Sequence, residues 1–299
     1  MLSAIFAAPP PTGTMLSFAA PPPTGKTVTL NNGVIMPSMN LGTCCGSEPK
    51  VGLQPWLDAG GVGIDTAFDY HDQTDIAQII NSVPRSSIFL TTKVPAGFGN
   101  KTDCAADPNV ALNYVRENLK ELGVDQVDLA LVHRPCQRSQ TSDPAAANNA
   151  LWKGMQQALA LNLTRAIGVS NYAKADLEAL DMSGAVPSLN QCQMSVTHHD
   201  DESIAYCQSK GIVYESYFTM KGCPWNNADV KTIAANHNVS ISQVCLRYVL
   251  DRGGAVAAGT GADPAKVGPY AAENLDIYGF ALTADEMDTL SKIPPIVEA

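Results

Sequence analysis

Short apolar runs recur along the chain and alternate with longer segments in which apolar residues return every three or four positions. Each short run predicts a β-strand, and the longer segments predict amphipathic helices. The eight predicted strands are MNLGT, VGIDTA, SIFLTTKV, VDLALVH, RAIGVSN, SLNQCQ, IVYESYF and AVAAGT. The predicted helices include PNVALNYVRENLKELG, NNALWKGMQQALALN, KADLEALDM, DESIAYCQSKG and ISQVCLRYVLDRG. Several of them begin at Asp, Asn or Ser and end at Gly, as capped helices do.

Strand and helix alternate eight times, which predicts an α/β chain folded as a closed (β/α)₈ TIM barrel. The competing fold is an open, doubly wound sheet, but no predicted strand is followed by the GxGxxG turn with which such a sheet binds a dinucleotide. Ahead of the barrel, TVTLNNGVIMPSMNLGTC alternates apolar and polar residues around Asn32-Gly33, which predicts a short N-terminal β-hairpin. The barrel with its hairpin is therefore predicted to span residues 27–299.

Residues 1–26 are a Pro-rich leader in which MLSAIFAAPPPTGT is nearly repeated as MLSFAAPPPTGKT. The first copy lacks a basic start, and its apolar stretch stops at Pro9, so a secretory signal is not expected. We interpret the segment as a flexible leader of undetermined role.

Composition narrows the choice of partner. The chain has 299 residues, 45% of them hydrophobic, which is enough for a large core. Its formal net charge is −10 and it has no dense Lys/Arg block, so attraction to nucleic acid or to anionic lipid is not expected. Charged, Pro or Gly residues interrupt every apolar run before it could cross a membrane. A small molecule is the expected partner.

The eight cysteines are scattered without a CxxC motif or a Cys/His cluster, so no metal centre is expected. Most are predicted to be reduced core thiols, which favours a cytoplasmic location. For the adjacent Cys44 and Cys45, two free thiols are expected rather than a strained vicinal disulfide. In the run HHDD, Asp200 or Asp201 is expected to cap the next helix rather than to bind a metal.

The active site of a barrel of this kind lies at the C-terminal ends of its strands. The polar residues at or just beyond those ends are Thr43, Asp65, Tyr70, Lys93, His133, Ser170, Asn171, Gln191, Tyr217 and Thr260. The segment AGFGNKTDCAADP, after the third barrel strand, is rich in Gly, Asp and Pro and predicts a rim loop that could cover a substrate.

Four of these residues have the types that carbonyl reduction needs, although each alone more often packs or caps. Hydride addition to a C=O group makes an alkoxide, which must receive a proton. The Tyr70 phenol is the predicted donor, provided that a neighbouring ammonium, Lys93, lowers its pKa. Asp65 would hold that ammonium by a charge-assisted hydrogen bond, and His133 would orient the substrate oxygen.

The motifs VGIDTAFDY, TTKV, DLALVHRP, RAIGVSN and NQCQ, in that order, resemble those of the aldo-keto reductases. The resemblance runs from about Val28 to about Ile293. It implies a monomeric enzyme that reduces a small carbonyl compound with NADPH, or alternatively NADH. The catalytic tetrad that it implies is Asp65, Tyr70, Lys93 and His133. It also implies a nicotinamide held through its carboxamide and stacked on an aromatic ring, by Ser170, Asn171, Gln191 and Tyr217, with Thr43 beside it.

The residues that would select NADPH depart from the family pattern. Many relatives hold the 2′-phosphate with a Lys-Ser pair after the last strand and a nearby Arg, but the Lys position here is Gly259. Thr260 and Lys266 remain as candidates for that role. The resemblance further implies that Glu273 and Asn274 contact the adenine. The preference for NADPH is therefore expected to be weaker than in relatives with the full clamp.

Other departures concern the substrate pocket. Arg134 stands where relatives carry an aromatic residue, and it could either read a polar substrate or turn outward to a rim acid such as Asp143. The family's Gln-Val-Glu-Tyr run is replaced by QCQM, residues 191–194. The chain ends soon after TADEMDTLSKI, so the resemblance implies a truncated C-terminal loop and a more open pocket.

Three functions are compatible with these residues. The first is an NAD(P)H-dependent reductase of aldehydes or ketones, and the intact tetrad favours it. The second is a nucleotide-binding partner subunit with little turnover, like the barrel subunits that attach to potassium channels. The third is a dehydrogenase that oxidises alcohols with NAD.

Overall fold

A closed barrel of eight parallel strands forms the body of the protein, as the sequence predicts. The structure, a computed structural model, describes residues 26–97 and 101–295. Two short strands, β1 (Thr27–Thr29) and β2 (Ile35–Pro37), precede the barrel. The barrel strands are β3 (Met39–Gly42), β4 (Gly63–Asp65), β5 (Phe89–Val94), β6 (Val127–Val132), β7 (Thr164–Ser170), β8 (Leu189–Gln193), β9 (Val213–Tyr217) and β10 (Gly254–Ala258). Each pairs with the next in chain order, and β10 closes the ring on β3.

Helices connect the strands and cover the outside of the barrel. They are α1 (Pro49–Asp58), α2 (Gln73–Ile80), α3 (Pro108–Leu122), α4 (Pro144–Ala160), α5 (Lys174–Glu178), α6 (Asp201–Ser209), α7 (Ala228–His237), α8 (Ile241–Gly253), α9 (Val267–Leu275) and α10 (Ala284–Ser291). Asp107, Asp143 and Asp200 cap α3, α4 and α6 by accepting backbone N–H groups. The capping role expected in the HHDD run is thus confirmed for Asp200.

The N-terminal hairpin closes one mouth of the barrel. Strands β1 and β2 pair antiparallel, and Gly33 takes the positive φ of 86° that the Asn32-Gly33 turn needs. Leu30 and Met36 pack against inward-facing apolar side chains of the barrel, among them Leu129. Because this end is sealed by apolar contacts, the opposite end, where the strands finish, is the one open to ligands.

The cysteines differ from expectation. Cys104–Cys136 and Cys223–Cys245 are disulfides with Cα–Cα distances of 5.7 and 5.8 Å, in the range that a disulfide requires. Cys44 and Cys45 form a vicinal disulfide. Only the two remaining cysteines, Cys192 and Cys207, are buried free thiols. The prediction of mostly reduced thiols was therefore wrong, because pairs 32 and 22 residues apart become neighbours only through the tertiary fold.

Part of the predicted architecture lies outside the described residues: the leader up to residue 25, residues 98–100 of the rim loop, and the last four residues. Among the helices that are described, none has the length and apolar character to cross a membrane. No group of three or more His, Cys, Asp or Glu side chains in the described part of the chain is arranged to hold a metal ion.

Candidate active site

Three adjacent strands bring the predicted tetrad to one rim of the barrel. Asp65 is the last residue of β4, Lys93 lies near the end of β5, and His133 directly follows β6. These strands are neighbours in the sheet, so their carboxyl ends meet. Tyr70 arrives from a short 3₁₀ turn, Phe68–Tyr70, immediately beyond β4. Three strand ends and one turn therefore place all four side chains around the same mouth.

The Lys93 ammonium is the centre of this group, and its side chain is completely buried. Its Nζ donates to Asp65 Oδ1 at 2.6 Å, to the Thr66 carbonyl at 3.0 Å and to Tyr70 Oη at 3.4 Å. These contacts use the three hydrogens that an ammonium has. Burial alone would lower the pKa of Lys93, but the adjacent Asp65, together with Tyr70 and Glu215, outweighs burial and raises the pKa above its ordinary value. Lys93 therefore stays charged across the physiological range.

Tyr70 is oriented by the contact with Lys93. Because its oxygen accepts a hydrogen bond from Nζ, its own hydrogen points elsewhere, and the side chain lines the cavity. Burial raises the pKa of Tyr70 and outweighs the lowering effect of Lys93. The expectation that Lys93 brings this pKa below its ordinary value was therefore wrong. The phenol remains protonated at neutral pH, which is the state that a proton donor needs.

His133 has a partner that sequence reasoning missed. Its Nδ1 lies 3.0 Å from Oδ2 of Asp69, the residue before Tyr70. The rings of Tyr70 and His133 meet edge to face, with 5.5 Å between their centroids. Burial lowers the pKa of His133, while the Asp69 carboxylate opposes that shift. In the sequence, Asp69 directly precedes Tyr70, the predicted proton donor. That proximity was the only sign in the sequence that Asp69 could belong to the site.

Gln191 is held by two acidic side chains inside the barrel. Its Nε2 donates to Asp65 Oδ2 at 2.8 Å and to Glu215 Oε2 at 2.7 Å. Both amide hydrogens are thereby used, which leaves Oε1 as an acceptor for a ligand N–H. Glu215, in the interior of β9, was not predicted as a site residue. It is fully buried, also accepts from Asn40 at 2.8 Å, and burial together with nearby Asp65 raises its pKa to about 8.

The residues predicted to hold the nicotinamide lie together beside the tetrad. Asn171 adopts a left-handed φ of 61°, and its amide donates to the His133 carbonyl and to Ser170 Oγ, each at 3.0 Å. The Tyr217 hydroxyl donates to Asn171 Oδ1 at 2.6 Å. A carboxamide needs an acceptor for its N–H groups and donors for its oxygen, and Gln191 Oε1 is such an acceptor. The Ser170 hydroxyl donates to the Gln191 carbonyl at 2.8 Å, so Ser170 and Asn171 can donate to a carboxamide oxygen only by exchanging their present partners. The aromatic face of Tyr217 adds a surface for a planar ring. This set fits a nicotinamide.

A cavity of about 440 Å³ connects these groups. From the tetrad it is lined by Asp65, Tyr70 and His133, and from the carboxamide set by Ser170, Asn171, Gln191 and Tyr217. Further lining residues are Cys44, Cys45, Arg134, Phe218, Met220 and Lys221. Arg134 thus lies at the cavity, whereas Asp143, the alternative partner for it, caps α4.

The residues predicted for the adenosine end do not line this cavity. Lys266 is 60% exposed and pairs with Asp263 at 3.5 Å, while Glu273 accepts from Ser242 Oγ at 2.5 Å. Asn274 is buried in α9, and Thr260 has a buried hydroxyl with no hydrogen-bond partner among the described residues. Thr43 is also buried, and its backbone N–H donates to the Asp65 carbonyl at 3.1 Å. Lys221, which sequence reasoning missed, is the exposed lysine at the cavity wall.

Comparisons with known proteins identify the family to which the chain belongs. The aldo/keto reductase family model matches residues 50–294. The chain is 30% identical over 292 residues to aldo-keto reductase AKR2E4 of Bombyx mori, covering 89% of this chain and 91% of that protein. It is 30% identical over 293 residues to morphine 6-dehydrogenase of Pseudomonas putida, covering 90% and 93%. The structure of the Bombyx mori protein in complex with NADP superposes with a TM-score of 0.75 at 26% identity, covering 90% and 92%.

A closed barrel with a polar mouth, together with these matches, defines the class of protein as a barrel oxidoreductase. The chain belongs to the aldo/keto reductase family. It is a carbonyl-reducing enzyme, and the alternative of a nucleotide-binding partner subunit without turnover is not favoured.

Proposed function

We propose that this chain reduces aldehydes or ketones to alcohols with NADPH, and that Tyr70 is the proton donor. One observation carries the proposal: the buried Lys93 ammonium contacts both Asp65 and Tyr70 at the wall of the cavity. A lysine inside a barrel is costly unless its charge is paired. Here the pairing also directs the phenol hydrogen away from Lys93, where a substrate oxygen can accept it.

The tetrad acts on the carbonyl oxygen. The nicotinamide, when bound, supplies the hydride. As negative charge develops on the oxygen, Tyr70 transfers its proton to it, and Lys93 stabilises the phenolate that remains. Asp65 keeps the ammonium in position through the 2.6 Å ion pair. His133 contributes a second hydrogen-bonding group at the same oxygen.

Ser170, Asn171 and Gln191 would bind the carboxamide and fix which face of the nicotinamide meets the substrate. The orientation of Gln191 supports this role. Turning its amide over would place a carbonyl oxygen against the carboxylate of Asp65, which is unfavourable. Tyr217, hydrogen bonded through its hydroxyl to Asn171, would stack on the ring.

NADP(H) is the proposed cofactor, with NADH as a weaker alternative. The solved structure of the Bombyx mori relative contains NADP. In this chain Lys221 lies at the cavity wall, where an ammonium would attract a phosphate group. Lys266 and Thr260 remain candidates for the 2′-phosphate, but neither lines the cavity. Glu273 and Asn274 remain candidates for contacting the adenine, although neither of them lines the cavity.

Arg134 places a positive charge at the wall of the cavity in which a carbonyl substrate would bind. Its side chain is exposed and lies at the cavity wall beside His133. A guanidinium binds a carboxylate through two parallel hydrogen bonds, a contact that lysine does not copy. We therefore propose polar or acidic carbonyl compounds as the substrate class, ahead of small apolar aldehydes.

Two further properties stay predictions. A monomer is expected from the family resemblance. A cytoplasmic location was inferred from reduced thiols, and the disulfides described above remove that support, because such bonds persist mainly in oxidising compartments.

The test is a panel of aldehydes, ketones and keto acids assayed by loss of NADPH absorbance, with NADH in parallel. Turnover of at least one carbonyl by the wild type, lost in Tyr70→Phe, supports the proposal. Cofactor binding without consumption of any substrate would support the nucleotide-binding alternative. Faster alcohol oxidation with NAD than carbonyl reduction would support a dehydrogenase.

A further inference from the structure

Cys44 and Cys45 form a disulfide at the wall of the cavity that Tyr70 also lines. Cys45 is exposed and Cys44 is partly exposed. The other two disulfides, Cys104–Cys136 and Cys223–Cys245, are buried. Exchange with a disulfide requires a thiolate to reach one of its two sulfurs. A reductant in solution therefore reaches the Cys44–Cys45 bond before it reaches the others.

This bond contributes little to the stability of the fold, because it joins adjacent residues. A disulfide stabilises a protein mainly by restricting the unfolded chain, and the effect grows with the length of chain that the bond closes. The two buried disulfides join residues 32 and 22 positions apart. Opening the Cys44–Cys45 bond should therefore leave the barrel folded and change the structure only nearby.

The disulfide lies within a tight turn that runs from Cys44 to Ser47. The Ser47 N–H donates to the Cys44 carbonyl at 3.2 Å, and Cys45 and Gly46 have φ angles of 62° and 103°. A residue with a side chain rarely adopts a left-handed φ, and here the covalent ring with Cys44 restricts Cys45. The segment after β10 packs on the turn, since the Gly261 N–H donates to Ser47 Oγ at 3.3 Å. The turn and this segment together form one wall of the cavity.

We propose that the Cys44–Cys45 disulfide is a reversible modification site, which a small dithiol reduces selectively, and that its reduction makes this wall of the cavity mobile. Once the ring is open, no covalent link holds Cys45 at a left-handed φ, so the turn can relax away from Gly261. The site goes beyond the proposed reductase activity, because its reduction needs neither hydride nor carbonyl. Only the effect on cofactor affinity rests on the proposed function.

The reaction is a thiol–disulfide exchange in two steps. A thiolate of the dithiol attacks Cys45 Sγ, the bond between the two protein sulfurs breaks, and Cys44 Sγ leaves with the electron pair and takes up a proton. The second thiolate of the dithiol then attacks the reagent sulfur bonded to Cys45. Cys45 Sγ leaves as the second thiol after protonation, and the dithiol becomes a cyclic disulfide. The dithiol is oxidised by two electrons, and the protein is reduced by two.

The site is tested by brief treatment of the folded wild type with dithiothreitol, followed by alkylation and peptide mapping by mass spectrometry. Cys44 and Cys45 should be alkylated while both buried disulfides stay intact. Two outcomes would overturn the proposal: alkylation of Cys44 and Cys45 in the untreated protein, or reduction of a buried disulfide at the same rate.

The mobility of the wall is measured without ligand by backbone hydrogen exchange at Ser47 and Gly261, whose N–H groups donate within and across the turn. Exchange should be faster after reduction and should return to its first rate after reoxidation. The double variant Cys44→Ser/Cys45→Ser should exchange like the reduced wild type and ignore dithiothreitol. Cys207→Ser, which alters a buried free thiol, should keep the wild-type response. Equal exchange before and after reduction would overturn the proposal.

Reduction should also weaken NADPH binding by about three- to tenfold, on the order of one hydrogen bond, as measured by fluorescence titration. The double variant should show the weaker affinity with or without dithiothreitol. An unchanged Kd, or a response that persists in the double variant, would contradict this effect of the site. A wild type that binds neither NADPH nor NADH would instead reject the proposed function, while peptide mapping and hydrogen exchange would still decide the modification site.

Discussion

Cys104 and Cys136 join the loop that follows Lys93 to the loop that follows His133. Cys136 lies three residues beyond His133, and both cysteines are buried. The loop after β5 also packs tightly here, since a Cβ placed on Gly97 would lie 2.7 Å from Cβ of Arg134. The disulfide therefore holds together two rim segments that carry or flank site residues.

Loss of this bond should lower stability. For a separation of 32 residues, the entropy of the unfolded loop predicts that Cys104→Ser reduces the free energy of unfolding by about 3–4 kcal/mol. Urea unfolding under non-reducing conditions measures the change. Cys207→Ser alters a cysteine that pairs with no other and is the control for loss of a thiol. Thiol titration of the unfolded wild type should find two reactive groups, and finding eight would contradict all three pairings.

Tyr70→Phe should lower kcat by several orders of magnitude while leaving the cofactor Kd nearly unchanged. The reason is that the phenylalanine ring fills the same space but has no proton to transfer. Lys93→Met should also reduce kcat, because the phenolate formed after proton transfer would lose its stabilising charge. Single-turnover kinetics with NADPH measures the chemical step. If Tyr70→Phe keeps more than about a tenth of wild-type turnover, another residue donates the proton.

Glu215 should make stability depend on pH. Its pKa is raised to about 8 in the folded chain, so between its ordinary value of 4.5 and 8 it is protonated when folded and ionised when unfolded. The folded state then binds more protons, and stability falls as pH rises through this window. Glu215→Gln keeps the hydrogen-bonding shape but removes the titration. The loss of stability between pH 5 and 8, measured by urea unfolding, should be smaller in the variant, and equal slopes would contradict the assignment.

Removing the Lys221 side chain should weaken NADPH binding more than removing the Lys266 side chain. Lys221→Ala should weaken NADPH binding by about one to two decades, the value of one charge-assisted hydrogen bond. Lys266→Ala should have a smaller effect, because that side chain is 60% exposed and pairs with Asp263. Kd values for NADPH and NADH, measured by fluorescence titration, separate the two. A larger effect for Lys266→Ala would indicate that Lys266, in the loop before α9, binds the phosphate instead.

Arg134 should discriminate between substrates. Arg134→Trp is expected to lower kcat/KM for a keto acid while changing kcat/KM for benzaldehyde little, because only the acid can use the bidentate contact. Arg134→Lys is the matched control and should recover only part of the activity toward the acid. An equal change on both substrates would show that Arg134 does not sense substrate charge.

The fold was predictable because its signals are local. The Asn32-Gly33 turn specifies its hairpin through the backbone of two residues, and each strand is a short run bounded by polar residues. The polar residues at the strand ends were identifiable for the same reason. In a parallel barrel, every strand end lies at one mouth, so a residue's place along its own strand predicts its place in the site.

Other features depend on contacts between distant segments. Asp69 and His133 are 64 positions apart, and Gln191 donates to both Asp65 and Glu215, which lie on different strands. The direction of the Tyr70 pKa shift also required the structure, since the sequence shows the neighbouring ammonium but not the depth of burial that outweighs it. The disulfides belong to this group as well.

The sealed mouth of the barrel has a practical consequence. Strand β1 begins at Thr27, on the face that Leu30 and Met36 close. A support attached directly beside β1 would lie on the side opposite the catalytic opening. Attachment of the enzyme at the β1–β2 hairpin would thus leave the opening turned toward the bulk solution.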